Sequence, residues 1–246
     1  MLEGPDLIES ALESTVEFEA LFVDVAEQST VAIAQLLRIA QARGVRVFAL
    51  ATGVLEKIAD AQTPQPLIAT VRLPLFALSQ LQVSGLVIVL HDVRDPGNAG
   101  TIIRSSDAAG VTAVVFTGQS VDPFNPKTLR ASAGSVFHVP VCVSGLDETL
   151  TYFSSAGART WATVVRGGES HRTQDFTVPT VIVVGNEATG LDEASASRCE
   201  GRLTIPMAGR NESLNAGVAA SLIAFEALYQ RQDTSAPSAP RSLEGS

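Results

Sequence analysis

Apolar residues follow two patterns along this chain, and the changes between them mark out its elements. Leu86-Val87-Ile88-Val89-Leu90, Val111 to Phe116 and Val178 to Val184 are apolar runs without alternation. Short runs of this kind predict strands buried on both faces, as in a parallel sheet. Shorter strands are predicted at Val136 to Val143, Arg159 to Val165 and Gly201 to Pro206. Helical periodicity fills the gaps, from about Gly100 to Ala109, Leu146 to Ala156 and Leu214 to Gln230. Strands and helices in alternation predict a parallel sheet with helices on both faces.

Ahead of this stretch the pattern describes a smaller α/β unit. A helix is predicted over Asp6 to Glu13, with Pro5 and an acid suited to its first turn. The strand Phe18 to Val23 follows, then the helix Val31 to Ala42, stopped at Gly44. The strand Val45 to Leu50, a short helix over Val54 to Ala59 and the strand Leu67 to Val71 complete it. Arg72 to Gln82, interrupted by Pro74, reads as connecting chain. The expected organisation is a small unit over 1–75, a linker over 76–82, a larger domain over 83–232 and a disordered Ser/Pro/Ala-rich tail over 233–246. The final Leu243-Glu244-Gly245-Ser246 has the character of an appended cloning remnant.

Composition narrows the function classes. The 246 residues are 46% hydrophobic and only 5% aromatic, so a substantial and largely aliphatic core is expected. A formal charge of -9 argues against a general nucleic-acid binder but leaves room for a local basic patch. The two cysteines, Cys142 and Cys199, lack metal-site or CxxC spacing and read as buried thiols of a cytoplasmic protein. Three scattered histidines make a metal site improbable, and no apolar run approaches a membrane span. Met1 to Asp6 lacks the basic and apolar regions of a signal peptide.

The candidate chemistry lies on strand-to-helix loops, where open α/β sheets hold ligands. The first segment is His91 to Gly100, running on to Arg104. Asp95-Pro96-Gly97 is ordinary turn chemistry, and Asn98 alone would be a helix cap. Arg104 changes this reading, because an arginine on an apolar helix start is costly to bury unless it meets an anion. The second segment, Gly185-Asn186-Glu187-Ala188-Thr189-Gly190-Leu191, closes the strongest strand in a glycine-bounded loop. It is not a GxGxxG fingerprint, so a dinucleotide site is disfavoured. The third segment, Ile205-Pro206-Met207 and then Glu212 to Val218, opens the last helix. Ser213 is the expected N-cap there, while Asn215 and Gly217 are poor helix formers whose presence suggests function. Lys127 and Arg130, three apart on a possible helix, are candidates for phosphate contacts or simply a solvated basic face.

In this order the three segments resemble the signature motifs of the SpoU (TrmH) family of RNA ribose 2'-O-methyltransferases. The likeness covers about residues 85–230. More loosely, the first unit resembles the ribosomal-protein-like RNA-binding domain that precedes many members, through Glu3-Gly4-Pro5 with Ala11-Leu12 and through Gln65 to Ala69. No strand is read before Glu3, so that unit is expected to lack its first strand.

The resemblance implies an α/β SPOUT fold with a C-terminal trefoil knot. It implies S-adenosylmethionine as cofactor, held by Val184, Gly185, Glu187, Gly190, Ile205, Met207, Ser213, Leu214 and Asn215. It further implies a homodimer with its site at the interface. Asn98, Arg104, Glu187, Ser213 and Asn215 would be the catalytic set. Arg104 would meet the phosphate and orient the 2'-hydroxyl, since a guanidinium is a poor base. Asn98 would orient Arg104 or the ribose, and Glu187 would hold the loop or Arg104 across the interface. Basic residues of two subunits are expected to line one RNA groove. Ribosomal RNA is the favoured substrate. A transfer-RNA methyltransferase, a non-catalytic RNA-binding protein and a cofactor binder acting on something other than RNA remain open at this point.

Overall fold

The computed structural model describes residues 1–59, 65–210 and 213–235. Asn211 and Glu212 of the third segment, and residues 236–246 of the expected tail, lie outside the described residues.

The first unit is a four-stranded sheet with two helices. In chain order it comprises β1 (Leu2–Glu3), α1 (Pro5–Glu13), β2 (Phe18–Asp24), α2 (Val31–Ala42), β3 (Val47–Leu50) and β4 (Leu67–Val71). The sheet order is β1-β4-β2-β3. α2 has the span its periodicity predicts and turns off at Gly44 with φ of 75°. Two expectations are corrected here. A strand does precede Gly4: Leu2 and Glu3 pair antiparallel with Ala69 and Ile68, a ladder too short to show alternation. The helix expected over 54–59 is a single 3-10 turn, Leu55–Lys57, anchored by buried Leu55.

The second unit comprises β5 (Leu75–Phe76), β6 (Leu86–His91), α3 (Pro96–Ala108), β7 (Ala113–Thr117), α4 (Pro126–Ser132), β8 (Val141–Val143), α5 (Leu146–Ser155), β9 (Arg159–Thr163), β10 (Glu169–Ser170), β11 (Thr180–Val184), α6 (Glu193–Ala196), β12 (Gly201–Thr204) and α7 (Ala216–Ser235). Its sheet is parallel throughout, in the order β10-β12-β9-β11-β6-β7-β8-β5. β7 and β11 are buried at every position, which explains why their sequences do not alternate.

Several boundaries move for identifiable reasons. β5, inside the stretch read as connecting chain, pairs with β8 at the sheet edge. The strand expected over 136–143 begins only at Val141, because Ser135–Phe137 forms a 3-10 turn after Gly134. α7 runs through Ser235, into the expected tail; Gln230-Arg231-Gln232 are sound helix formers and the first proline is Pro237. The two units meet where Ser10 Oγ lies 3.0 Å from His138 Nε2.

Candidate functional site

In a parallel sheet all strand-to-helix loops leave from one edge. β11 sits between β9 and β6, so the loop after it has neighbours on both sides. This strand order, rather than any one motif, assembles the site.

α3 starts earlier than predicted. Pro96 occupies its first turn, and Asp95 is the cap, its carboxylate accepting from the Asn98 amide at 2.7 Å. A cap of this type contributes about 1 kcal/mol. Asn98 is therefore inside the first turn and 8% exposed, with its amide group free to act elsewhere. Its Nδ2 donates to Glu187 Oε1 at 3.0 Å, and its Oδ1 accepts from Asn215 Nδ2 at 2.7 Å. Asn215, not Ser213, caps α7: its Oδ1 accepts from the amides of Gly217 and Val218 at 2.9 and 3.2 Å. One side chain from each segment thus joins a single hydrogen-bonded line, Glu187 to Asn98 to Asn215.

Glu187 also accepts from the Arg94 and Asp95 amides, at 3.3 and 3.2 Å. Partial burial raises its carboxyl pKa, but Asn98 and the amides of Glu187, Asp95 and Arg94 outweigh this and hold it below the usual carboxylate range. The carboxylate is therefore a fixed anchor for the 94–98 loop. Asn186 reinforces the same link, its Nδ2 donating to the Asp92 carbonyl at 2.8 Å.

Glycine serves packing here more than approach to a ligand. A Cβ on Gly185 would lie 2.4 Å from the Leu191 nitrogen, because the loop folds back on itself through an Asn186–Gly190 bridge. A Cβ on Gly100 would lie 2.4 Å from that of Ala131, so α3 and α4 touch backbone to backbone.

Beside the line lies a cavity of about 300 Å³, at the small end of the usual range for ligand sites. Val184, Gly185, Glu187 and Gly190 line it from one side, and Ile205, Met207, Ser213 and Leu214 from another. Asn215 stands between two lining residues without lining the cavity itself. Sequence reasoning misses the third wall, Thr163, Val164 and Val165, which is the end of β9 and the two residues after it and follows only from the place of β9 next to β11. It also misses Asn186, Ala188 and Thr189 as lining residues, although the second segment contains them. The lining combines aliphatic residues, including Leu203 and Ile223, with the polar residues Thr163, Asn186, Glu187, Thr189 and Ser213. That mixture suits a ligand with a flat apolar base and a polar chain.

Arg104 is exposed and, among the described residues, in no ion pair. Neither Asn98 nor Glu187 bonds it within this chain; they bond each other. On α3, Gly100 meets α4 while Ser105 meets Ser221 of α7, their hydroxyl oxygens 2.6 Å apart. Successive residues turn by about 100°, so Arg104 falls in the open strip between the two contacts. Lys127 and Arg130 are both exposed on α4, which Asn125 caps. Cys142 and Cys199 are free thiols, and burial pushes Cys199 up to about 11. No group of His, Cys, Asp and Glu among the described residues is placed to hold a metal, and no described helix is long and apolar enough to cross a membrane.

A cavity at the carboxyl edge of a parallel sheet is the arrangement by which open α/β folds hold ligands. A family model described as the SpoU rRNA Methylase family matches residues 85–225, and one described as an MRM3-like substrate binding domain matches residues 1–69. The chain is 30% identical, over 92% of its own length and 86% of the relative's, to the 23S rRNA (guanosine(2553)-2'-O)-methyltransferase RlmP of Bacillus subtilis. Its structure resembles the SpoU methyltransferase AviRb from Streptomyces viridochromogenes in complex with AdoMet, at TM-score 0.82 and 29% identity over 96% of this chain and 91% of that one. It also resembles the AdoMet-bound rRNA methyltransferase from Sinorhizobium meliloti, at TM-score 0.79 and 32% identity over 92% and 85% of the two chains. The chain belongs to the SpoU rRNA methylase family, and with that membership it is an S-adenosylmethionine-dependent RNA methyltransferase.

Proposed function

We propose that this protein methylates a ribose 2'-hydroxyl in ribosomal RNA, with S-adenosylmethionine held in the cavity between residues 163–165, 184–190, 205–207 and 213–216. The observation that carries this reading is the Glu187–Asn98–Asn215 line, which fixes three separated segments around one cavity. The names of the relatives support ribosomal over transfer RNA.

The cavity fits the cofactor: its aliphatic walls suit a purine and its loop backbone suits polar groups. When bound, the cofactor supplies a methyl group on a positively charged sulfur. The protein's own contribution is placement. Val184, Ile205 and Leu214 exclude water from the transfer region, where charge is lost as the methyl leaves. Arg104 binds the phosphate beside the target ribose and orients its 2'-hydroxyl toward the cavity. Asn98 and Glu187 act as scaffolding for the loop rather than as direct partners of Arg104. Ser213, at the cavity wall, contacts the target nucleotide, and Asn215 sets the start of α7. Lys127 and Arg130 bind RNA backbone.

Two structural parts of this reading go further. The first is a trefoil knot. β12 lies beyond β9 in the sheet, yet α7 packs on α3 and β6, on the other side of β9 and β11. That placement of the last helix supports threading of the knot, an exceptional topology. The second is a homodimer through the apolar outer face of α7, whose Val218, Leu222 and Tyr229 are 46%, 44% and 60% exposed. A cytoplasmic location accords with a ribosomal substrate.

The test is a transfer assay with methyl-labelled S-adenosylmethionine and bacterial RNA lacking native modifications. Label in an alkali-resistant dinucleotide from large ribosomal RNA is expected. Label confined to transfer RNA would overturn the substrate, and no label with no cofactor binding would overturn the reading altogether.

A further inference from the structure

The protein carries a formal charge of -9, yet its proposed substrate is a polyanion. The cations that matter are those the fold leaves uncompensated. Arg72, Arg198 and Arg202 are neutralised by Glu17, Asp147 and Glu193. Arg94 is treated differently. It is exposed in the loop between β6 and α3, and its guanidinium donates to a neutral partner, Gln119 Oε1, at 2.7 Å. Among the described residues it is in no ion pair.

The support behind this contact is rigid. The Gln119 amide donates to Asp92 Oδ1 at 2.6 Å, and Asp92 itself adopts a φ of 57°, unusual for a residue other than glycine. Ser120 Oγ accepts from the Val93 amide at 3.1 Å, and the Val121 amide donates to the Val93 carbonyl at 2.9 Å. The β6–α3 and β7–α4 loops therefore form one body. The nearest carboxylate along the chain, Asp95, is occupied in capping α3. The Arg94 backbone amide is bound by Glu187, which lines the cavity, so this arginine stands at the rim of the site.

We propose that Arg94, aimed by Gln119, is an RNA-phosphate contact that positions the target strand over the cavity. A neutral acceptor orients a guanidinium without cancelling its charge, whereas a carboxylate would do both. The remaining N–H groups stay available for a phosphate, with which arginine forms paired hydrogen bonds. Gln119 acts through Arg94 and is a positioning residue. The proposal rests on the RNA methyltransferase reading above and adds Arg94 and Gln119, which are in neither the catalytic nor the cofactor set that the resemblance implies.

The experiment compares wild type with Arg94→Ala, Arg94→Lys, Gln119→Ala and Gln119→Glu. It measures RNA affinity against salt, KM and kcat for ribosomal RNA, and cofactor affinity by calorimetry. One phosphate contact contributes about 0.7–0.9 to the slope of log affinity against log salt, or roughly five- to eightfold near 0.1 M. Arg94→Ala is expected to lose that slope increment and raise the RNA KM by about that factor, with cofactor affinity unchanged. Gln119→Glu, which supplies a carboxylate in the same place, is expected to match Arg94→Ala. Gln119→Ala should weaken RNA less, and Arg94→Lys should restore the slope. A merely structural glutamine would tolerate Gln119→Glu better than Gln119→Ala, and that order would overturn the proposal. So would an unchanged salt slope in Arg94→Ala, or parallel losses of RNA and cofactor affinity. A wild-type protein that binds no RNA would sink the functional reading and this proposal together, whereas an active wild type matched by Arg94→Ala would sink this proposal alone.

Discussion

Asn215 and Asn98 are 117 positions apart in sequence, and their side-chain amides meet at 2.7 Å. The contact joins the start of α7 to the first turn of α3, and Asn98 passes the link on to Glu187. Asn98→Ala removes both bonds, at a net cost of about 0.5–1.5 kcal/mol for each. A Tm lower by several degrees and weaker cofactor binding are expected. Asn98→Asp should be worse at neutral pH, since it sets a second carboxylate against Glu187. Thermal melts of both variants check this, and an Asp variant more stable than the Ala variant would contradict the assigned geometry.

The same anchor has a pH signature. Glu187 is held below its ordinary value of 4.5, so its ionised form is favoured by folding. That stabilisation is full above the ordinary value and is lost as pH falls through the lowered one. Wild type should exceed Glu187→Gln in Tm at neutral pH, with the gap closing as pH drops below about 4.5. A gap that stays constant down to acid conditions would show that Glu187 is not bound as described.

Parts of this site are legible in the amino-acid sequence and parts are not, for physical reasons. Polar residues on loops after wholly apolar strands are conspicuous, so the three segments stand out. Their partners do not, because hydrogen bonds between Glu187 and Asn98 depend on β11 lying beside β6, which periodicity does not encode. Local pattern makes Asn98 a candidate cap; Asp95 takes that role because Pro96 can occupy a first turn. Ser213 yields the cap of α7 to Asn215 for a similarly local reason, the reach of Asn215 Oδ1 to two amides. β1, β5 and β10 have two residues each, too few for any alternation to register. Thr163 to Val165 carry no conspicuous polar signal and reach the cavity only through sheet order.

Arg104→Ala separates chemistry from folding. The side chain is exposed and without an ion pair among the described residues, so stability should change by no more than about 0.5 kcal/mol. Cofactor affinity should persist while methyl transfer falls by about a hundredfold or more, the scale of a lost substrate alignment. Single-turnover assays at saturating RNA decide it; full activity would remove Arg104 from the reaction.

Gly185→Ala probes the fold of the second segment. The new methyl would meet the Leu191 nitrogen and the Gly190 carbonyl carbon at 2.4 and 2.5 Å, and backbone has nowhere easy to go. Crowding of this kind costs about 1–3 kcal/mol and would displace the cavity wall, so cofactor affinity should fall. Gly145→Ala is the control, since its nearest neighbour would be the Glu148 Cβ at 3.9 Å. Equal cofactor affinity in the two variants would show that the loop tolerates the shift.

From Ala216 to Tyr229, α7 is apolar except for Gly217, Ser221 and Glu226, and a helix apolar on all sides is normally covered on every side. One side faces α3, where Ala216, Ala220, Ile223, Ala224 and Ala227 are buried. The other leaves Val218, Leu222 and Tyr229 at spacings of four and seven, a single stripe exposed in the isolated chain. A second copy covering this stripe would lie close to Arg104, which occupies the neighbouring strip of α3. Leu222→Arg should then shift the protein to monomer in light scattering with its helical content intact. Methyl transfer should fall with the monomer fraction, and recover at protein concentrations that restore the dimer. A Leu222→Arg variant that stays dimeric would place the interface elsewhere, and a fully active monomer would show that one chain completes the site.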